Sequence, residues 1–192
     1  EMNKWKFPLH FIDFETSTVA LPFTTGRKPY EQVAFQFSHH MYHIDGTITH
    51  ETEFISNTPG EFPNFIFARA LYNALKNDDG SIFRFATHEN SILNAIIQQL
   101  KNSSEADKEK LISFLKSITV SKKDSVQSWE GERKMIDLNV IVKDYYYNPY
   151  TKGSNSIKAV LPASLNSSEF LKNKYANCLE QINVSSKNFN GN

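Results

Sequence analysis

The chain has 192 residues with 21 basic and 21 acidic side chains, so no global positive field marks a nucleic-acid partner, although local basic patches beside a carboxylate cluster remain compatible with one. Its one cysteine, Cys178, excludes an intramolecular disulfide framework and a multi-cysteine zinc site and fits a reducing cytoplasm. No apolar run approaches a membrane span and no signal-peptide layout opens the chain, while 15 phenylalanines and 8 tyrosines, the phenylalanines mostly in short apolar runs, argue for one packed domain.

Residues 7–16 read as a first strand, and within it His10-Phe11-Ile12-Asp13-Phe14-Glu15-Thr16 sets two carboxylates two residues apart in an apolar run. A strand repeats every two residues, so Asp13 and Glu15 point to one side while Ile12 and Phe14 point to the other. Two acids on one face of a buried strand are expensive to ionise together. A divalent cation such as Mg²⁺ or Mn²⁺ between them removes most of that cost, although Asp-x-Glu also arises by chance on solvated strands.

A loop with Pro22, Gly26 and Pro29 leads to a second strand over 31–43, with Val33, Phe35 and Phe37 alternating. Asp45-Gly46 is a two-residue hairpin signal, so 47–56 returns antiparallel and completes a meander. Residues 61–77 carry Phe62, Phe65, Ile66, Ala70, Leu71, Ala74 and Leu75 at helical spacing. A short strand over 81–87 then runs into a helix from about Glu89 through Leu93, Ile96, Ile97 and Leu100. That connection places Glu89 at the helix N-terminus, at one end of the sheet. Leu111, Phe114 and Leu115 mark the next amphipathic helix.

Residues 119–134 are polar and give no assignable element. Met135 to Val142 is apolar at both helical and strand positions, and Asp144-Tyr-Tyr-Tyr-Asn-Pro149 closes it. Ser156 to Leu161 reads as a short helix stopped by Pro162. Residues 167–182 read as a weaker helix, and a polar tail runs from Ser185.

Three strands in meander, then helix, strand and helix, is the order of a ribonuclease H-like α/β core, a mixed sheet flanked by helices. The first strand is central in that arrangement, so Asp13 and Glu15 are expected to meet Glu89. Such a cluster suits two-metal phosphodiester hydrolysis, with the ions about 3.5–4 Å apart.

At this point the chain resembles a known family. Phe11-Ile-Asp-Phe-Glu-Thr16 and Gly26-Arg-Lys-Pro-Tyr-Glu-Gln-Val-Ala-Phe-Gln-Phe-Ser38 look like DUF2779, a bacterial family placed among the DEDD exonucleases of the ribonuclease H-like superfamily. His88-Glu89-Asn90-Ser91-Ile92-Leu93, Ile136-Asp137-Leu138, Tyr146-Tyr-Asn-Pro149 and Gly153-Ser-Asn-Ser-Ile-Lys-Ala-Val-Leu-Pro162 continue it in order. The resemblance implies Asp13 and Glu15 as the first DEDD motif, with Asp13 bridging both ions. Glu89 matches the second motif loosely, because the superfamily has Asp there; alternatively it is an acid favoured by the helix dipole. Asp137 is the remaining catalytic candidate, with a cap or network role as its alternative.

The third DEDD motif, a histidine or tyrosine followed four or five residues later by aspartate, has no match after residue 150. Tyr175 and Glu180 differ in spacing and acid, and His40 to Asp45 lies in the early hairpin. The expectation is therefore a chain lacking the last helix of this fold and weak or inactive by itself, with turnover expected of the full-length protein. His88 is a candidate for orienting a phosphate or a carboxylate, Arg27, Lys152 and Lys158 for touching a phosphate backbone, and Tyr145 to Tyr147 for stacking on bases. The implied activity is a Mg²⁺- or Mn²⁺-dependent nuclease, a 3′–5′ exonuclease on single-stranded DNA or RNA, and the resemblance also implies a second nuclease domain as a fused or associated partner. The competing reading is a nucleic-acid-binding or protein-interaction module that kept the fold and lost turnover.

Overall fold

The computed structural model describes residues 2–121 and 127–175, with the backbone of 184–185. In chain order its elements are β1 (Leu9–Ser17), β2 (Val33–Tyr42), β3 (Ile48–Ile55), α1 (Asn64–Leu75), β4 (Ile82–Arg84), α2 (His88–Lys101) and α3 (Lys108–Ile118). There follow β5 (Val120–Ser121), β6 (Trp129–Glu130), β7 (Ile136–Asp137), α4 (Leu138–Tyr145), α5 (Ile157–Ser167), α6 (Glu169–Tyr175) and β8 (Val184–Ser185).

The expected meander forms. β1 pairs antiparallel with β2, and β2 with β3, around a turn in which Gly46 takes φ +90° and the Thr47 amide donates to Asp45 Oδ1 at 2.9 Å. β4 adds parallel to the other side of β1, and β7 parallel to β4, giving the order β7-β4-β1-β2-β3 with β8 parallel to β3 at the far edge. The fold is thus a mixed α/β sheet with β1 in its interior.

Alternation along β1 decides which face is packed. Ile12 and Phe14 are buried, whereas Phe11, Asp13 and Glu15 are exposed. Helices α1, α2 and α3 cover the Ile12 side through Phe67, Leu71, Leu93, Ile97 and Leu115. Phe67 stands edge-on to Phe14, Phe37 and Phe54, with ring centroids 4.9, 5.4 and 5.9 Å away. Truncating such a ring to alanine costs about 3–5 kcal/mol.

Polar groups also cross this buried face. His10 Nε2 lies 2.8 Å from Asp78 Oδ1, His10 Nδ1 lies 2.9 Å from His39 Nε2, and His39 Nδ1 lies 2.9 Å from Thr52 Oγ1. Arg133 donates to the same Asp78 oxygen at 3.0 Å. Only glycine fits at position 80, because a Cβ there would meet the Pro8 carbonyl oxygen at 2.0 Å and His10 Nε2 at 2.8 Å.

Four expectations change. The strand over 81–87 ends at Arg84, since the chain turns there to set Ala86 at φ +72°. The unassigned 119–134 stretch contributes the two-stranded ribbon β5–β6, with Trp129 Nε1 donating to Thr119 Oγ1 at 3.0 Å. The ambiguous 135–142 run splits into β7 and α4. Pro162 does not stop its helix: α5 runs on to Ser167, because proline removes only the donor that would reach the Lys158 carbonyl, while Ser156 caps the start and Ala163 is buried. Of the helix expected over 167–182, α6 forms the first part; residues 176–182, with Cys178 and Glu180, lie outside the described residues, as does the tail from 186. Among the described residues no helix is long and apolar enough to cross a membrane.

Candidate functional site

The parallel strands β1, β4 and β7 end at the same rim of the sheet, and the site is built there. Asp13 and Glu15 stand on the exposed face of β1, opposite Ser38 and Gln36 of β2. Neither carboxylate is engaged in a hydrogen bond or an ion pair. A register shift between Glu15 and Thr16 ends the regular pairing and turns the strand. Thr16 Oγ1 then lies 3.1 Å from His88 Nε2, which ties the end of β1 to the first residue of α2.

That tie brings Glu89 against β1. Glu89 is 4% exposed, and its Oε2 has no hydrogen-bond partner. Burial pushes its pKa up to about 7; its own backbone amide opposes the shift, and the nearby charge of Asp13 adds to it, as does Asp137, against Arg84. The expense anticipated for the Asp13/Glu15 pair is therefore misplaced. Those two acids are solvated on an open face, and the carboxyl that carries the desolvation is Glu89.

Arg84 ends β4 at 8% exposure and donates from Nη1 to Asp137 Oδ2 at 2.9 Å. Asp137 Oδ1 accepts from the Ala86 amide at 2.9 Å and from the Asn139 amide at 2.9 Å. Asp137 thus caps α4, fixes the left-handed Ala86 and neutralises a buried guanidinium, which makes it a brace of the β4–α2 turn. Arg84 Nε, like Glu89 Oε2, is buried without a partner. One orphan donor and one orphan carboxyl oxygen thus stand at the same rim.

The rim places Asp13 near enough for its charge to raise the Glu89 pKa, leaves Glu15 on the same open face of β1, and engages Asp137 in bracing the turn. Among the described residues no group of three or more His, Cys, Asp or Glu side chains is placed to hold a metal ion. The carboxyl oxygens of Asp13 and Glu89 are by type hard donors, the kind that Mg²⁺ and Mn²⁺ prefer.

The remaining candidates disperse. His88 bonds Thr16, and His39 belongs to the buried His10 chain. Tyr146 points inward, its hydroxyl 2.8 Å from Ser164 Oγ, whereas Tyr145 and Tyr147 are exposed. Arg27 lies over the Phe62 ring, and Lys152 and Lys158 are surface residues. Sequence reasoning missed Arg84; its signal was a lone guanidinium closing an otherwise apolar strand, which requires a buried anion nearby.

No curated protein and no solved structure matches the chain. A family model does match, over residues 10–156, a span that begins with β1 and holds Asp13, Glu15, Arg84, Glu89 and Asp137. The chain belongs to that family, DUF2779, a domain of unknown function.

Proposed function

We propose that this chain is a ribonuclease H-like nuclease of the DEDD type, a divalent-metal-dependent 3′–5′ exonuclease that hydrolyses phosphodiester bonds in single-stranded DNA or RNA. The carrying observation is the juxtaposition of Asp13 with the buried, partnerless Glu89 carboxyl at the rim of a central strand. A carboxyl held near neutrality by burial and a neighbouring carboxylate is a functional-site signature. The sheet order, a meander followed by two parallel strands, suits the same reading.

Asp13, Glu15 and Glu89 are the residues that would hold Mg²⁺ or Mn²⁺. Bound ions of this kind lower the pKa of water and stabilise a departing oxyanion. Glu89 would have to give up its proton to serve as a ligand, and its burial would keep bulk water from competing for it. Arg84, neutralised by Asp137 on one side, keeps an unpaired Nε for an anion at the rim. The Asp137 brace positions the turn from which α2 presents Glu89.

The test is incubation of the full-length protein with 5′-labelled single strands in Mg²⁺ or Mn²⁺. The proposal expects a ladder of products shortened from the 3′ end, abolished by EDTA and by Asp13→Asn. A wild-type protein that binds these strands but leaves them intact in both metals overturns it and favours the second reading, a binding module on the same fold. That reading draws on Asp137, whose carboxylate is spent on three donors and does not complete a ligand set.

A further inference from the structure

The string Arg27-Lys-Pro-Tyr-Glu-Gln32 is absorbed by none of this chemistry, yet it builds a cavity. The β1–β2 loop and the β3–α1 connection border an open cavity of about 570 Å³, within the range of small-molecule sites. Val19, Phe23, Phe35 and Phe62 supply apolar walls, and Arg27 and Glu31 supply charge. The Arg27 guanidinium lies 3.5 Å above the centre of the Phe62 ring, with Glu31 at 3.6 Å.

The cavity is preformed. Gln99 donates to Glu31 Oε1 at 3.0 Å, the Lys28 amide donates to Glu31 Oε2 at 3.0 Å, and fully buried Asn64 donates to Gln99 at 2.6 Å. The loop is closed by the Tyr30 amide donating to the Val19 carbonyl at 2.8 Å, which holds Tyr30 at φ +58°, a conformation costly for an aromatic residue. Phe23 lines the cavity and is still 71% exposed. Ser17 also lines it, so the cavity begins two residues beyond Glu15, about 7 Å along the strand.

We infer that this cavity is a nucleobase pocket, which takes the unpaired base of the nucleotide whose phosphate lies at the β1 rim. The ring stacks on the Arg27 guanidinium, backed by Phe62, and against Phe23. A planar heteroaromatic ring matches this lining: every base has a π face for a guanidinium and an aromatic ring, and an apolar wall tolerates all of them. The placement of the phosphate rests on the nuclease reading above, whereas recognition of the base does not.

The experiment titrates adenosine and ribose 5-phosphate into the intact protein in EDTA, followed by NMR or calorimetry, with Phe23→Ala and Arg27→Gln as variants and circular dichroism as the check on folding. The expected result is adenosine binding at least about tenfold tighter than ribose 5-phosphate, weakened about tenfold by each substitution. Equal binding of the two probes, or adenosine binding that neither folded variant weakens, overturns the pocket. The two readings fail separately. Adenosine binding by a protein without hydrolytic activity supports the pocket and removes the nuclease; hydrolysis whose KM is unchanged in both variants removes the pocket and leaves the nuclease.

Discussion

Arg84 and Asp137 meet at 2.9 Å across the paired ends of β4 and β7, both nearly buried. Through the second oxygen of Asp137 the same contact captures the Ala86 amide and starts α4. The β4–α2 turn that presents Glu89 is therefore held by one ion pair and one backbone hydrogen bond, both from a carboxylate that also caps α4.

Removing that anion leaves a guanidinium buried and uncompensated. Asp137→Ala is expected to lower stability by about 3–5 kcal/mol, measured by urea unfolding. Asp137→Asn keeps an acceptor for the cap and loses only the charge, so its loss is smaller. Equal stability of Asp137→Ala and wild type would mean that the pair does not brace the turn.

Glu89 makes stability fall with pH. Its folded pKa of about 7 lies above the ordinary 4.5, so between these values the folded chain keeps a proton that the unfolded chain releases. Destabilisation grows across that window and is complete above pH 7, at most about 3 kcal/mol. Glu89→Gln is expected to match wild type at pH 4 and to exceed it in melting temperature at pH 8. A constant difference between the two across that range would remove the shift.

The buried histidines work in the opposite direction. Burial, helped by the neighbouring His10 and His40, lowers the His39 pKa to about 4 from 6.5, and burial also lowers His10 against the pull of Asp78. The unfolded chain takes up protons between pH 6.5 and 4 that folded His39 refuses, so its contribution is full above pH 6.5 and lost as pH falls toward 4. Wild type is expected to lose up to about 3 kcal/mol more than His39→Gln on going from pH 7 to 4, read from thermal melts at stepped pH.

Much of this was legible in order along the chain. The two-residue period of β1 set Ile12 and Phe14 on one face and Asp13 and Glu15 on the other, and the Asp45-Gly46 turn made the meander, because both are local signals. The strand-to-helix junction at Glu89 was equally local. What escaped depends on partners far apart in sequence. Arg84 finds Asp137, and His10 finds Asp78 and His39, without any periodicity that announces them. The exposure of the Asp13 face depends on which side of the sheet the helices cover, and alternation alone names the two faces without saying which is packed. Pro162 was misread because the rule against proline in helices concerns one lost hydrogen bond, which a capped, exposed helix tolerates.

Mn²⁺ titration followed by water-proton relaxation or calorimetry decides whether Asp13 and Glu89 hold a divalent ion as proposed above. Saturable binding by wild type is expected at pH 7.5, weakened at least about tenfold by Asp13→Asn and by Glu89→Gln, with Mn²⁺ raising the melting temperature of wild type more than that of either variant. Mn²⁺ binding that both variants retain at wild-type strength, or no saturable binding at millimolar Mn²⁺, would contradict it.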